Sequence, residues 1–357
     1  MFAAVGYAAV QARVRARRSR LIGAPTWQRL FASPDAERVV DALLPTAYGP
    51  YLSLASATPS DRRAAPGVDP ATAARLERAL QRRLDDETRG LAKLLPPRAR
   101  DLVDWYATAA LVQDLKLLIR ALHFERSLTD ALAATTRIRA EHPVAQELAR
   151  SRTMEALLQG LGRGPYAHAL GQAWERYRLE GRAFYLEIAL DLTFGRGLVD
   201  RIEALGGADR ADAVALLGRP LARGNLLSAV RYRALAGVSP EEIVNFCLHR
   251  DLGGGLAMVQ RVAAGASLWA EAANLGVRLR PDQDERAALL ELEDVTLREQ
   301  RAAATVRIGR MPFGIGLVLA YLIELSAEGR DLTTLVEAKG QDLDETDLRR
   351  RVQREVT

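Results

Sequence analysis

The sequence predicts an all-α protein made of three similar helical domains. Two observations carry that prediction. DLKLLIRAL at 114–122, NLLSAVR at 225–231 and DLTTLVE at 331–337 each set Asp or Asn before Leu, and each carries an aliphatic pair at the same offset: Leu118–Ile119, Ala229–Val230 and Leu335–Val336. The three phrases begin 111 and 106 positions apart, and self-similarity at a nearly fixed period marks a repeat architecture. The second observation is compositional. Ala, Leu and Arg dominate, while Val and Ile are scattered rather than alternating, which favours helix almost throughout.

The flanks repeat as well. Leu76-Glu77, Leu186-Glu187 and Leu290-Glu291 lie on helical runs 39, 40 and 42 residues before Leu115, Leu226 and Leu332, and are read as opening them. After each phrase comes a capping signal: Ser127 with Asp130, Ser239 with Glu242, and Asp344 with Asp347. A short polar side chain there accepts from early backbone amides, and the acid three residues on suits the positive end of a helix. At the front, ERVVDALLPTAYGPYL is echoed by RTMEALLQGLGRGPYAHAL, pairing Leu44 with Leu158 and Pro50-Tyr51 with Pro165-Tyr166. The expected domains are 1–135, 136–250 and 251–357. Three such units can close into a pseudo-threefold ring if each meets the next by the same contact.

Along the chain, Tyr7, Val10, Val14 and Leu21 form the buried stripe of a first helix. The apolar residues of this segment precede its arginines, the reverse of a secretory leader, and it holds no acid before Asp35, as in a transit peptide; the stripe favours a structural helix. The next helix takes its N-cap near Ser33 or Asp35, and a turn lies at Pro45–Pro50. SLASATPSDRRAAPGVDP at 53–70 reads as a loop. Helices follow at about 71–93 and 98–124, split by Pro96-Pro97, the second burying Tyr106, Ala110, Leu115, Leu118, Ile119 and Leu122. The last clear helices lie in DERAALLELEDVTLREQ and in PFGIGLVLAYLIELSAEGRDLTTLVEAK. The most apolar run, 311–323, is thirteen residues long, too short to span a bilayer, and reads as a wholly buried helix.

Chemistry-bearing motifs are sparse. The single cysteine, Cys247, allows no disulfide within the chain and reads as a small buried hydrophobe, which fits a reducing compartment. His123, His142, His168 and His249 share no ligand spacing. The glycine clusters at 160–164 and 253–255 do not sit between a strand and a helix and lack the phosphate-loop lysine. Neither a catalytic site, a metal, a cofactor nor a small-molecule substrate is expected. Fifty basic residues against forty-five acidic give a net charge of +5, a mild excess. Its densest part is RVRARRSR at 13–20. There Arg13, Arg15, Arg17, Arg18 and Arg20 suit an acidic partner or phosphate groups, or else pair with acids of neighbouring helices.

The chain resembles the C subunits of the V/A-type rotary ATPases, which are the counterparts of the d subunit of the vacuolar proton pump. The resemblance is carried by YAAVQARVRARRSRLIG at 7–23, by Leu190-Asp191 in IALDLTFGRGLVDRI, by the three [DN]L helices, and most specifically by 312–339, with Pro312-Phe313 opening a helix, Tyr321-Leu322 at its middle and Lys339 closing the phrase. Asp114 and Asp331 stand where Asn is more usual, and the HFERSL exit is atypical. The resemblance implies three helical domains forming a funnel or socket that turns with the rotor. One face would receive the central shaft, formed by the D and F subunits. The other would rest on the cytoplasmic side of the membrane proteolipid ring, with the stator membrane subunit a further neighbour. It implies a non-catalytic role, without nucleic acid. The competing reading is a basic all-α nucleic-acid-binding regulator, which requires arginines gathered on one face and steep salt dependence. A third, a helical enzyme, requires titratable groups converging in a cleft.

Overall fold

The computed structural model describes residues 2–54, 67–138, 141–235, 237–310, 313–341 and 352, and among them all regular structure is helical. The helices of eleven residues or more are α1 (Phe2–Arg18), α2 (Pro70–Ala92), α3 (Pro97–Ala107), α4 (Ala109–His123), α5 (Pro165–Glu180), α6 (Phe184–Ala204), α7 (Arg219–Arg233), α8 (Glu285–Arg310) and α9 (Ile315–Gly340). Local chemistry sets many of their ends. Asp69 caps α2 by accepting from the Thr72 amide at 2.9 Å, with Pro70 at the first helical position, where its missing N–H costs nothing. Asp35, not Ser33, caps the helix Ala36–Ala42; Ser33 closes the helix before it. Most of the 53–70 segment and the Asp344–Asp347 signal lie outside the described residues, as does Pro312.

The chain forms two compact units, each assembled from three stretches. The first comprises Met1–Gln11, Leu94–Tyr106 and Ile188–Ile323; the second comprises Ala12–Lys93, Ala107–Glu187 and Glu324–Thr357. In the first, Leu226, Ala229 and Val230 of α7 pack with Ile243, Cys247, Val259, Val262, Leu268 and Leu292. In the second, Leu332, Leu335 and Val336 of α9 pack with Trp27, Leu30, Phe31, Val39, Leu43, Tyr48, Leu52, Leu76 and Val352. Each Val, Leu, Ile or Phe among them contributes about 1.5–3 kcal/mol when fully buried.

Four expectations are corrected. The single helix expected over 98–124 is two, interrupted at Thr108, where the chain passes from one unit to the other and the Thr108 hydroxyl meets the Tyr166 hydroxyl at 2.7 Å. The α1 stripe buries Tyr7, Val10 and Val14, but α1 ends at Arg18; beyond it the helical period lapses and Ile22, rather than Leu21, is the buried residue. Leu76, Leu186 and Leu290 lie inside helices rather than at their starts, and Leu290 is exposed, so the third copy departs from the other two. Finally, α9 begins at Ile315 while Phe313 is exposed. Its start is set from outside: the Ile315 amide donates to Asp209 at 3.0 Å, and Tyr7 donates to the other oxygen of the same carboxylate. A Cβ on Gly316 would fall 2.2 Å from Asp212, so only glycine fits there. From Ile315 to Ile323 every residue of α9 is buried, as expected of the most apolar run.

Candidate functional site

The leading Asp or Asn of the repeated phrase is a buried anchor. Asp114 accepts from the amides of Thr136 (3.0 Å), Arg137 (2.6 Å) and Ile138 (2.9 Å), so one turn of α4 holds the backbone 22–24 residues downstream. Asn225 does the corresponding job from α7: its Oδ1 accepts from the Leu248 amide at 2.8 Å, and its Nδ2 donates to the carbonyls of Leu248 and Gly253 at 2.9 and 2.7 Å. Each anchor is followed by its buried Leu115 or Leu226, which fixes the anchor's depth. Asp331 and Leu332 are likewise buried on α9. Burial pushes the Asp114 carboxyl above its ordinary range even though the amides of Thr136, Ile138 and Arg137 pull the other way. The capping signals also match: Ser127 accepts from the Asp130 amide, and Ser239 and Glu242 form a reciprocal capping box.

The arginine run divides into two kinds. Arg13, Arg15, Arg18 and Arg20 are exposed. Arg17 turns inward: its guanidinium lies 2.7 Å from the Glu87 carboxylate, donates to the Glu87 carbonyl at 3.1 Å, and rests against Gly90, where any Cβ would collide with it. The chain after α1 is then gripped by a network that sequence reasoning missed. Arg83 and Glu328, each 1% exposed, pair at 3.3 Å. Glu328 also accepts from the Ile22 amide (2.7 Å) and the Tyr48 hydroxyl (2.9 Å), while Arg83 donates to the Arg20 carbonyl (2.9 Å) and lies over the Tyr48 ring. The signal is faint in sequence, because both residues sit among charged neighbours on helices. Lys339 donates to the Phe31 carbonyl at 2.8 Å, neutralising a helix C-terminus.

In the first unit Arg223 is equally buried, but its carboxylate partner Glu299 reaches the surface at 2.8 Å; its second nitrogen donates to the Leu275 carbonyl. It borders an open cleft of about 520 Å³ together with Arg219, Asp251 and Glu299, beside the π-helical turn Val214–Gly218. Gln300 donates to the Leu216 carbonyl of that turn. The histidines stay apart and take local roles: His142 accepts from the Val144 amide at a helix start, and His249 meets the Val244 carbonyl. Cys247 is buried in the core, its thiol pushed up to about 12. Among the described residues no group of His, Cys, Asp and Glu could hold a metal ion. The ordered features are therefore anchors and ion pairs between helices, together with one exposed basic edge.

Comparison with known proteins places these features in a family. The profile of the ATP synthase (C/AC39) subunit family matches residues 10–351, from the buried stripe of α1 past the end of α9. The chain belongs to that family. It is similar to the C subunit of the A-type ATP synthase of Methanocaldococcus jannaschii, at 23% identity over 358 residues, covering 96% of this chain and 85% of the relative. The family match spans all three [DN]L phrases and both compact units.

Proposed function

We propose that this chain is the non-catalytic central-stalk subunit of a V/A-type ATPase or ATP synthase. In this reading its three repeats, 1–135, 136–250 and 251–357, surround a pseudo-threefold axis as a socket. The socket receives the D and F subunits of the central shaft and stands on the proteolipid ring at the cytoplasmic face of the membrane, near the stator membrane subunit. It turns with the rotor and passes torque between nucleotide chemistry and ion movement. The observation that carries the reading is the family match over nearly the whole chain. The helical build supports it, because a torque coupler has to be stiff and dense helical cores resist deformation. Anchors that tie a helix to a distant segment, such as Asp114 and Asn225, and the helix-to-helix Arg83–Glu328 pair serve the same end. No helix among the described residues is long and apolar enough to cross a membrane, which suits a part that sits against one.

The test is capture. The purified chain is mixed with the D and F shaft subunits of its own organism, and separately with the detergent-solubilised ring, at low and moderate salt. Stoichiometric capture of both is expected. A folded, helical protein by circular dichroism that captures neither would sink the reading.

A further inference from the structure

We propose that Arg13, Arg15, Arg18 and Arg20 form a preset grip for clustered carboxylates on a folded protein partner, and that Arg17 is the positioning residue that holds the grip. This deepens the rotor-subunit reading and rests on it. Three observations carry it.

The first is that the cations are available. Several arginines elsewhere in the same unit have carboxylates: Arg83 has Glu328, Arg89 has Asp85 and Asp86, Arg120 has Glu187 and Arg137 has Asp85. The consecutive acids Asp85, Asp86 and Glu87 of α2 are taken by Arg89, Arg137 and Arg17. The four exposed arginines have no acid of the described residues within ion-pair reach and sit within eight positions.

The second is rigidity. Arg17 is locked between Glu87 and Gly90, and the buried Arg83–Glu328 pair holds the Arg20 carbonyl and the Ile22 amide. The backbone of the edge is therefore fixed at its middle and at its C-terminal end, which removes part of the ordering cost that binding otherwise carries. Guanidinium forks carried on a fixed backbone suit carboxylates held in register by a folded protein better than laterally mobile lipid head groups.

The third excludes the usual membrane mode. An interfacial basic helix inserts its apolar face into the bilayer, but the stripe Tyr7, Val10 and Val14 of α1 is already buried in the protein. Nor do aromatic side chains alternate with these arginines, as they do in single-strand nucleic-acid grooves. That the residues are Arg rather than Lys argues nothing, since the chain uses Arg almost everywhere.

The experiment measures affinity for the D and F shaft subunits and for the solubilised ring, at several salt concentrations, for wild type, the quadruple variant R13E/R15E/R18E/R20E, its glutamine counterpart, and R17Q. Flotation with vesicles rich in anionic phospholipid and binding to single-stranded RNA run in parallel. The expected result is that one protein partner loses roughly tenfold or more in affinity with the glutamine set and more with the glutamate set, with the difference shrinking as salt rises. R17Q is expected to weaken the same partner less and to leave the salt dependence in place, since the four gripping charges remain; R17K, which keeps a cation toward Glu87, restores part of the loss. Unaltered affinity for every protein partner in the glutamate set overturns the grip while leaving the rotor reading intact. Loss confined to vesicles, or to RNA, overturns it in favour of that ligand. If wild type binds neither the shaft nor the ring, both proposals fall.

Discussion

In each compact unit the most deeply buried arginine is almost wholly enclosed and one downstream segment hangs from a polar anchor, yet the two units solve these tasks with different charge. In the unit containing α2 and α4 both solutions are ionic: Arg83 faces a carboxylate as buried as itself, and the anchor is Asp114. In the unit containing α7 and α8 the charge is let out. Arg223 meets Glu299, which is 44% exposed, and the anchor is the neutral Asn225. The difference teaches where each unit is fragile. A closed ionic pair in a low-dielectric interior tolerates no loss of one partner, whereas a pair open to water does. The anchors differ in kind as well. Asp114 faces three backbone donors and only accepts, while Asn225 faces one donor and two carbonyls and must do both.

These contrasts can be broken by substitution. The largest effect is expected from E328Q, which removes the negative charge facing Arg83 inside the core; the loss is about 3–5 kcal/mol, read as a lowered urea midpoint. A midpoint within error of wild type would show the closed pair to be dispensable. Next comes N225D, which sets a carboxylate against the carbonyls of Leu248 and Gly253 and costs about 3 kcal/mol at neutral pH. The reciprocal D114N should be milder, about 1–2 kcal/mol, because it retains one acceptor for three amides and sheds a buried charge. If N225D and D114N proved equally harmful, the donor–acceptor account of the two anchors would be wrong.

D114N also carries a pH signature. Burial raises the Asp114 carboxyl, so the folded chain holds that proton more tightly than the unfolded chain. The stability this group adds is fully present below the ordinary carboxylate range and is lost as pH rises through the raised value. The gap between wild type and D114N should therefore be widest in acid and narrow toward neutrality. Glu271 is its mirror: the Arg261 guanidinium holds it below the usual range, so its contribution is present above that range and disappears as pH falls through the lowered value. The smallest effect is expected from E299Q, about 1 kcal/mol, since the open cleft that Arg223 borders lets water take the place of the lost carboxylate.

Much of the fold was legible because it rests on periodicity. The three phrases with their aliphatic pairs do lie on buried helix faces, and Asp and Asn at the head of two of them proved to be anchors of the same downstream reach. The family followed from the same triplicate order. What sequence could not convey were partners chosen across space. Nothing local tells that Glu328 gathers Arg83, Tyr48 and Ile22, or that Asp209 rather than a residue beside Ile315 starts α9. The arginine run shows the limit most sharply. Five residues alike in sequence divide into four exposed cations and one internal strut, because only position 17 comes within reach of Glu87.

The Glu328 network also sets an order of events during synthesis. Its carboxylate serves groups that lie 245, 280 and 306 residues earlier in the chain. At about 5–20 residues per second, Arg83 emerges from the ribosome roughly 12–50 s before the carboxylate that will neutralise it. Through that interval the nascent α2 carries a cation destined for the interior and has to keep it solvated, so this unit closes only when the last tenth of the chain arrives.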